Sequence, residues 1–414
     1  MIDDHVQAQY EAYPYPARNP QDETKRLRVV SPSQLFQVNH FAFGGRRDLK
    51  HSLRVLVAGG GTGDAAIMLG QQMTDAGVPG TVVHLDLSAE SQNITRQRTE
   101  VRGLKNIEFV QGSLLDVGEL GLDTFDYIDC CGVLHHLEDP LAGLHALMSV
   151  LAPDGGLGIM VYGELGRTGV YHLQDMLRTL APVDEDPSDR VDTAKRLLQA
   201  LPPTNWFVRN GQLTDHKGGG DAGIFDLLLH SQDRAYRVPE LAELTNAAGL
   251  RITGLLPLAD YDPARLLKSP ALLESVRNME QMERAAFGEL LAGNIKKHIF
   301  YAVRADNPVV LPTPDDPAVI PVLLDMTPED GASQIPPGGT VTRSRNGLQY
   351  SLSVPPLARA IVQRCDGQKS LSDIYDDILR VRSDLEWSNF KNQFDDFYDT
   401  MNAINRMVLQ VPTP

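Results

Sequence analysis

The residues best suited to chemistry in this 414-residue sequence form one glycine run, Val55-Leu56-Val57-Ala58-Gly59-Gly60-Gly61-Thr62-Gly63-Asp64. An apolar strand that ends in glycines and feeds a helix makes a tight turn. Its bare backbone lets a ligand approach at the positive end of the helix dipole. A dinucleotide pyrophosphate asks for Gly-x-Gly-x-x-Gly at such a turn. Gly59 and Gly61 match that pattern, but its third position is Asp64, an acid aimed at where the phosphates would sit. The spacing Gly59-x-Gly61-x-Gly63 suits an adenosine ligand whose sulfonium and amino-acid tail carry no phosphate. Downstream, Val82-Val83-His84-Leu85-Asp86 ends in a carboxylate placed to accept both ribose hydroxyls.

These residues need a frame, and the surrounding pattern supplies one. From Leu53 onward short apolar runs alternate with helical segments, which implies βαβ units and a parallel sheet. Strands are expected at 53–58, 81–85, 107–110, 125–131 and 157–161, with helices at 64–76 and 140–151. The alternation breaks over 164–237, where helical stretches at 170–180 and 190–201 and the loop Lys217-Gly218-Gly219-Gly220 suggest an insertion over the open end of the sheet. It resumes with a helix at 238–248, a strand at 251–256, a helical excursion at 270–291 and a strand at 298–303, which suits an antiparallel edge. The expected fold is α/β: a Rossmann-like, mostly parallel seven-stranded sheet with helices on both faces, plus a small C-terminal helical or winged-helix domain. Its parts are an N-terminal cap at 1–50, a cofactor-binding core at 51–165, an inserted helical lid at 166–237 and closing strands at 238–306. A proline-rich linker at 307–339 and the C-terminal domain at 340–414, opening with a hairpin at Arg345-Asn346-Gly347, complete it.

Composition narrows the function classes. A formal net charge of −16 repels phosphate polymers, so no nucleic acid is expected as a partner. No apolar run is long enough to span a membrane, and the N-terminus lacks a basic segment leading into an apolar one, so neither membrane nor secretion is expected. Cys130, Cys131 and Cys365 make no disulfide framework and no Cys/His ligand spacing, which implies a reducing, cytoplasmic setting and no metal.

The motifs together resemble a family. Val55 to Gly63, Asp86-Leu87-Ser88, Gln111-Gly112-Ser113-Leu114-Leu115, Gly132-Val133-Leu134-His135-His136-Leu137 and Leu151-Ala152-Pro153-Asp154-Gly155-Gly156 fall in the order and spacing of class I S-adenosylmethionine-dependent methyltransferases. The last two look like those of ubiquinone-pathway C-methyltransferases. The resemblance covers residues 50–165 and extends more weakly to the closing strands. It implies S-adenosylmethionine as cofactor. Gly59, Gly60, Gly61 and Gly63 would line its methionine and ribose part, Asp86 the ribose hydroxyls and Leu87 the adenine. Ser113 and Leu114 would hold the adenine edge and face, and Gly132 and Val133 would pass the methionine tail. One departure matters: the family has an acid two residues before the first motif glycine, reaching the cofactor's ammonium, and this chain has Val57. Asp64 is the expected substitute.

Methyl transfer by in-line displacement needs positioning and, for a proton-bearing acceptor, a base. His136, Tyr162 and His230 are the catalytic candidates, from the ends of two strands and the polar cluster His230, Asp233, Arg234, Tyr236. Helical spacing would put His230 and Asp233 on one face. Tyr15, in the extended Tyr13-Pro14-Tyr15-Pro16, together with Arg46 and Arg167, are the substrate-binding candidates. Arg46 would reach the methionine carboxylate or an acidic acceptor. The stretch Leu357 to Ile374, with its Cys365-Asp366-Gly367 turn, resembles the peptide-carrier winged helix of pyrroloquinoline quinone biosynthesis, which implies a grip on a peptide; the other reading is a dimerisation or stabilising unit, so a homodimer is open to the chain. The expected function is methyl transfer to a small-molecule or peptide acceptor. The alternative is a non-catalytic regulatory or scaffold protein that keeps the cofactor fold, for which Val57 is the best argument.

Overall fold

The structure, a computed structural model, describes residues 4–336 and 339–412; residues 1–3 of the cap range, 337–338 of the linker range and the last two of the C-terminal range lie outside the described residues. Strands β1 Leu53–Ala58, β2 Gly80–Asp86, β3 Ile107–Gln111, β4 Phe125–Cys131, β5 Leu151–Tyr162, β6 Leu250–Leu256 and β7 Lys297–Arg304 form one seven-stranded sheet in the order β3-β2-β1-β4-β5-β7-β6. The first five are parallel, and β7 lies antiparallel between β5 and β6. This is the expected Rossmann-like, mostly parallel α/β sheet. Chain direction of growth reverses between β1 and β4, the crevice where open α/β sheets bind ligands.

Helices α1 Asp4–Ala12, α2 Leu35–Phe43, α3 Asp64–Asp75, α4 Ala89–Arg102 and α5 Pro140–Ser149 lie around it, and α6 Val170–Leu180 and α7 Pro187–Ala200 belong to the insertion. Their starts follow local chemistry. Ser88 accepts the amide of Ser91 to cap α4, and Asp139 accepts two amides before Pro140 opens α5. Alternate strand residues feed two cores. Leu56, Val83, Ile128 and Ile159 pack toward α5 and the helix Val238–Ala247. Val55, Val57, Tyr127 and Tyr301 pack toward α2 and α3.

Three expectations need correction. The N-terminal range is more than a cap, because α2 buries Leu35, Val38, Phe41 and Ala42 against the sheet. Gly156 and Gly254 make this possible: a Cβ on either would sit within 2.5 Å of Ala42 or Phe41. The linker range carries strand β8 Ile320–Leu323 and the helix Pro328–Gln334. Its prolines conceal β8, which pairs antiparallel with the terminal strand and seats Val322 in the α2 core. Finally, β5 begins at Leu151, six residues earlier than 157, although Pro153-Asp154-Gly155-Gly156 has turn composition. A register shift opposite Phe125 and Tyr127 absorbs the irregularity.

The insertion has its own core of Val170, Leu173, Leu177, Val191, Phe207 and Phe225. It ends in a π-helical turn, Phe225–Leu229, a rare geometry that recurs at functional sites. Beyond β8, the hairpin β9 Gly339–Arg345 and β10 Leu348–Val354 turns through Asn346 and Gly347, both at positive φ, as their pairing predicts. The helices Ala358–Val362, Leu371–Leu379 and Trp387–Ala403 follow, and β11 Met407–Gln410 returns to β8.

Candidate functional site

The carboxyl ends of β1 and β4 open into a cavity of about 390 Å³. Its floor is the glycine turn, and the turn is held by protein rather than left bare for a ligand. The amide of Gly61 donates to Asp86 Oδ2 at 2.7 Å, and the Gly61 carbonyl accepts from His84 Nε2 at 3.0 Å and from the Thr95 hydroxyl at 3.1 Å. Each glycine admits a neighbour: a Cβ on Gly59 would meet Val133 at 2.5 Å, and one on Gly60 the His84 ring at 2.4 Å. Gly63 admits Thr95 in the same way and caps α3, so it lies under the turn and does not line the cavity.

Of the sequence-predicted cofactor residues, Gly59, Gly60, Gly61, Asp64, Asp86, Leu87, Ser113, Leu114, Gly132 and Val133 all line this cavity. Asp86 also accepts the Ser88 amide at 2.9 Å, so it pins the turn as well as facing the site. Ser113 accepts the Leu115 amide at 3.1 Å, which leaves its hydroxyl proton free to donate. Asp64 differs from its expected role. Its oxygens take Arg18 Nε at 2.9 Å, Arg18 Nη2 at 2.5 Å and Arg98 Nη1 at 2.8 Å. Burial works to raise its carboxyl, and the two arginines outweigh it and hold the group below its ordinary value.

These ion pairs fasten the N-terminal segment across the turn. Arg98, fully buried, also donates to Glu23 at 2.6 Å, and Arg102 donates to the other oxygen of Glu23. The Thr62 hydroxyl donates to the Pro16 carbonyl at 2.7 Å, and Tyr15 and Pro16 line the roof. Tyr15, a substrate-binding candidate, is thus part of the cavity wall.

The far end of the cavity carries a polar set on the insertion and on β5. Tyr162 donates to Asp226 Oδ2 at 3.1 Å and Tyr10 to Oδ1 at 3.4 Å. Burial raises the Asp226 carboxyl, opposed by His136 and Arg167. His136 Nδ1 meets the Gln232 carbonyl at 2.8 Å, which makes it the donor and leaves Nε2 as the basic nitrogen of a residue lining the cavity. His230 stacks on His136 with ring centroids 3.7 Å apart and meets Tyr10 Oη at 3.3 Å, but it stands behind the cavity wall. Its Nδ1 accepts the Gln232 amide, and burial followed by the charge of His136 lowers its imidazolium well below the usual range.

Two substrate candidates are corrected. Arg46 is exposed at a separate recess, because Gly44 and Gly45 turn the chain toward Val309, Val310 and β11. Arg167 is buried behind Tyr162, with its guanidinium carbon 3.5 Å from that ring's centre and an ion pair to Asp233 at 3.3 Å. His230 and Asp233 do not share a helix face, since the π-helical turn stops at Leu229. His135, His136 and Asp233 bring ligand-type atoms within 4.8 Å of one another; Arg167 and Gln174 both donate to Asp233 Oδ2, while Asp233 Oδ1 and the two ring nitrogens of His135 have no hydrogen-bond partner.

Asp226 and Tyr10 escape the sequence reading. The only signal for Asp226 is an acid inside the apolar run Ile224-Phe225-Asp226-Leu227-Leu228-Leu229. Tyr10 gives no local signal at all.

The comparisons agree with this geometry. The family model of a methyltransferase domain matches residues 56–157. An uncharacterised protein of Synechococcus sp. is 32% identical over 314 residues, covering 73% of this chain and 72% of that one. The tRNA 5-carboxymethoxyuridine methyltransferase of Escherichia coli is 35% identical over 115 residues, 28% of this chain, and the match spans only 42% of that enzyme. Among solved structures, PKMT2 from Rickettsia typhi superposes over 92% of this chain and 75% of its own with a TM-score of 0.65 at 14% identity, a likeness of fold. The chain belongs to the class I S-adenosylmethionine-dependent methyltransferases. Its cofactor is S-adenosylmethionine, and the cavity's adenosine-type acid, small-residue floor and apolar Leu87 and Leu114 fit that group. No helix among the described residues is long and apolar enough to cross a membrane.

Proposed function

We propose that this methyltransferase acts on a proton-bearing nucleophile of a small molecule or peptide, with His136 as the base. The observation that carries the reading is the fixed tautomer of His136 beside Gly132 and Val133 on the cavity wall. S-adenosylmethionine, when bound, would supply an electrophilic methyl carbon, which an acceptor's lone pair attacks in line as the carbon–sulfur bond breaks and the neutral thioether of S-adenosylhomocysteine leaves. His136 Nε2 takes the acceptor's proton, and His230 stacked on the ring fixes its plane. Tyr162 and Tyr10, both held on Asp226, orient the acceptor's polar group. The segment through Tyr15 and Pro16 excludes water from the reacting end. On this reading Asp86, Leu87, Ser113 and Leu114 hold the adenosine, and Gly59 to Gly61 with Gly132 pass the methionine part.

A small-molecule or peptide acceptor is favoured over RNA by the net charge of −16 and by the confinement of the tRNA-enzyme match to 28% of the chain. The buried thiols of Cys130 and Cys365 and the absence of a disulfide among the described residues fit a cytoplasmic setting. The test starts from a screen of metabolites and peptides with labelled methyl donor. With the acceptor in hand, His136→Gln lowers kcat by roughly 10²–10⁴-fold while leaving cofactor affinity within twofold. An unchanged kcat removes His136 from the reaction.

A further inference from the structure

The acid that the family carries on β1, facing the cofactor's ammonium, is Val57 in this chain. The ladder shows what lies beside it. Val57 is in direct parallel register with Asp129 of β4, so the two occupy the same level of the sheet on adjacent strands. Both line the cofactor cavity, together with Cys131 and Gly132 from the end of β4.

Asp129 is wholly buried and half satisfied. Its Oδ2 accepts from the Ser33 hydroxyl at 2.6 Å, and its Oδ1 has no hydrogen-bond partner. A buried carboxylate oxygen without a donor is costly, and such a group in a native fold asks for an explanation. Burial pushes its carboxyl up to about 7, opposed by the Ser33 hydrogen bond. A cation arriving at Oδ1 would remove that strain. The other acids of the cavity are already engaged: Asp64 by Arg18 and Arg98, Asp86 by the Gly61 and Ser88 amides, and Asp226 by two tyrosines.

We propose that Asp129 replaces the missing β1 acid, so that the ammonium of the cofactor's methionine part is received one strand over, on β4, at the free oxygen of a carboxylate oriented by Ser33. The inference rests on the cofactor assignment and not on the choice of acceptor. It removes the main argument for a non-catalytic scaffold, because the loss at Val57 is made good by its ladder neighbour.

The test is calorimetric and uses the full chain with two probes, S-adenosylhomocysteine and its analogue lacking the α-amino group. The wild type binds the amino form roughly tenfold to a hundredfold more tightly, the range of a hydrogen-bonded charged pair. Asp129→Asn abolishes that discrimination, and placing the acid back on β1 with Val57→Asp in the same chain restores it. Asp64→Asn weakens both probes together and preserves their ratio. Full discrimination surviving in Asp129→Asn, or lost in Asp64→Asn instead, overturns the proposal. Equal binding of both probes by the wild type overturns it without any variant. A wild type that binds neither probe would overturn the cofactor assignment itself.

Discussion

The N-terminal segment is latched over the cofactor cavity by charges that hardly touch solvent, and the latch can be weakened by one proton-sized change. Arg18, Arg98 and Arg102 face only two carboxylates, Glu23 and Asp64. The side chains of Arg98 and Glu23 are 1% and 3% exposed. Glu23→Gln keeps the shape and removes half of the negative charge. Breaking a buried ion pair costs roughly 3–5 kcal/mol. Arg98 keeps Asp64 at 2.8 Å and the Thr62 carbonyl at 2.6 Å, which puts the cost at the low end, about 3 kcal/mol. At 1.4 kcal/mol per tenfold, the segment through residues 15–24 opens about a hundredfold more often. Hydrogen exchange resolves this locally: amides such as Lys25, bonded to the Asp22 carbonyl, lose about two decades of protection, while β4 amides keep theirs. S-adenosylhomocysteine should restore part of the loss, because Tyr15, Pro16 and Arg18 belong to the same cavity wall. Protection within threefold of wild type across this segment would refute the latch.

Two further outcomes follow from named contacts. Gly60→Ala places a Cβ 2.4 Å from the buried His84 ring, forcing it off the Gly61 carbonyl; the expected loss is about 1–3 kcal/mol, read as a lower thermal midpoint, and an unchanged midpoint would mean that the turn is looser than described. His40, on α2 and buried against β11 with its ring on the Leu409 carbonyl at 2.8 Å, has its imidazolium lowered by burial to about 4 against an ordinary 6.5. The unfolded chain therefore binds this proton first, so stability is full above pH 6.5 and falls by about 1.4 kcal/mol per pH unit down to pH 4. Urea midpoints at pH 7 and pH 5 measure it, and His40→Gln should flatten that part of the profile; an identical slope in the variant would clear His40 of the effect.

What could be read from the sequence was the part whose causes are local. A strand that ends in glycines, an acid closing the next strand and a Gly-Val turn after the fourth each declare themselves within ten residues. They identify a fold whose topology brings them together, so ten of the eleven expected cofactor residues line one cavity. The misreadings arise where a local signal has a tertiary meaning. The prolines of the linker range look like a spacer, but Pro321 lies in β8 paired with Leu409. The glycines of the turn look like room for a ligand, but Gly59 and Gly60 make room for Val133 and His84. Asp64 looks like a free acid beside the turn, and only the fold reveals the two arginines that occupy it.

The far end of the cavity was less legible for the same reason. Tyr10, Tyr162 and Asp226 come from three distant segments and meet through side chains 64 and 216 residues apart in sequence. No periodicity links them. The ladder is the instructive intermediate case: Val57 and Asp129 carry no mutual signal in the sequence, yet once β1 and β4 are known to be parallel neighbours their register follows from counting. An acid lost from one strand can then be sought on the strand beside it, at the same level and on the same face. Residue-by-residue matching to a family motif scores Val57 as a defect. Matching by position in space scores Val57 and Asp129 as one exchange, and it predicts that the ammonium-binding acid belongs to the sheet level rather than to the glycine motif.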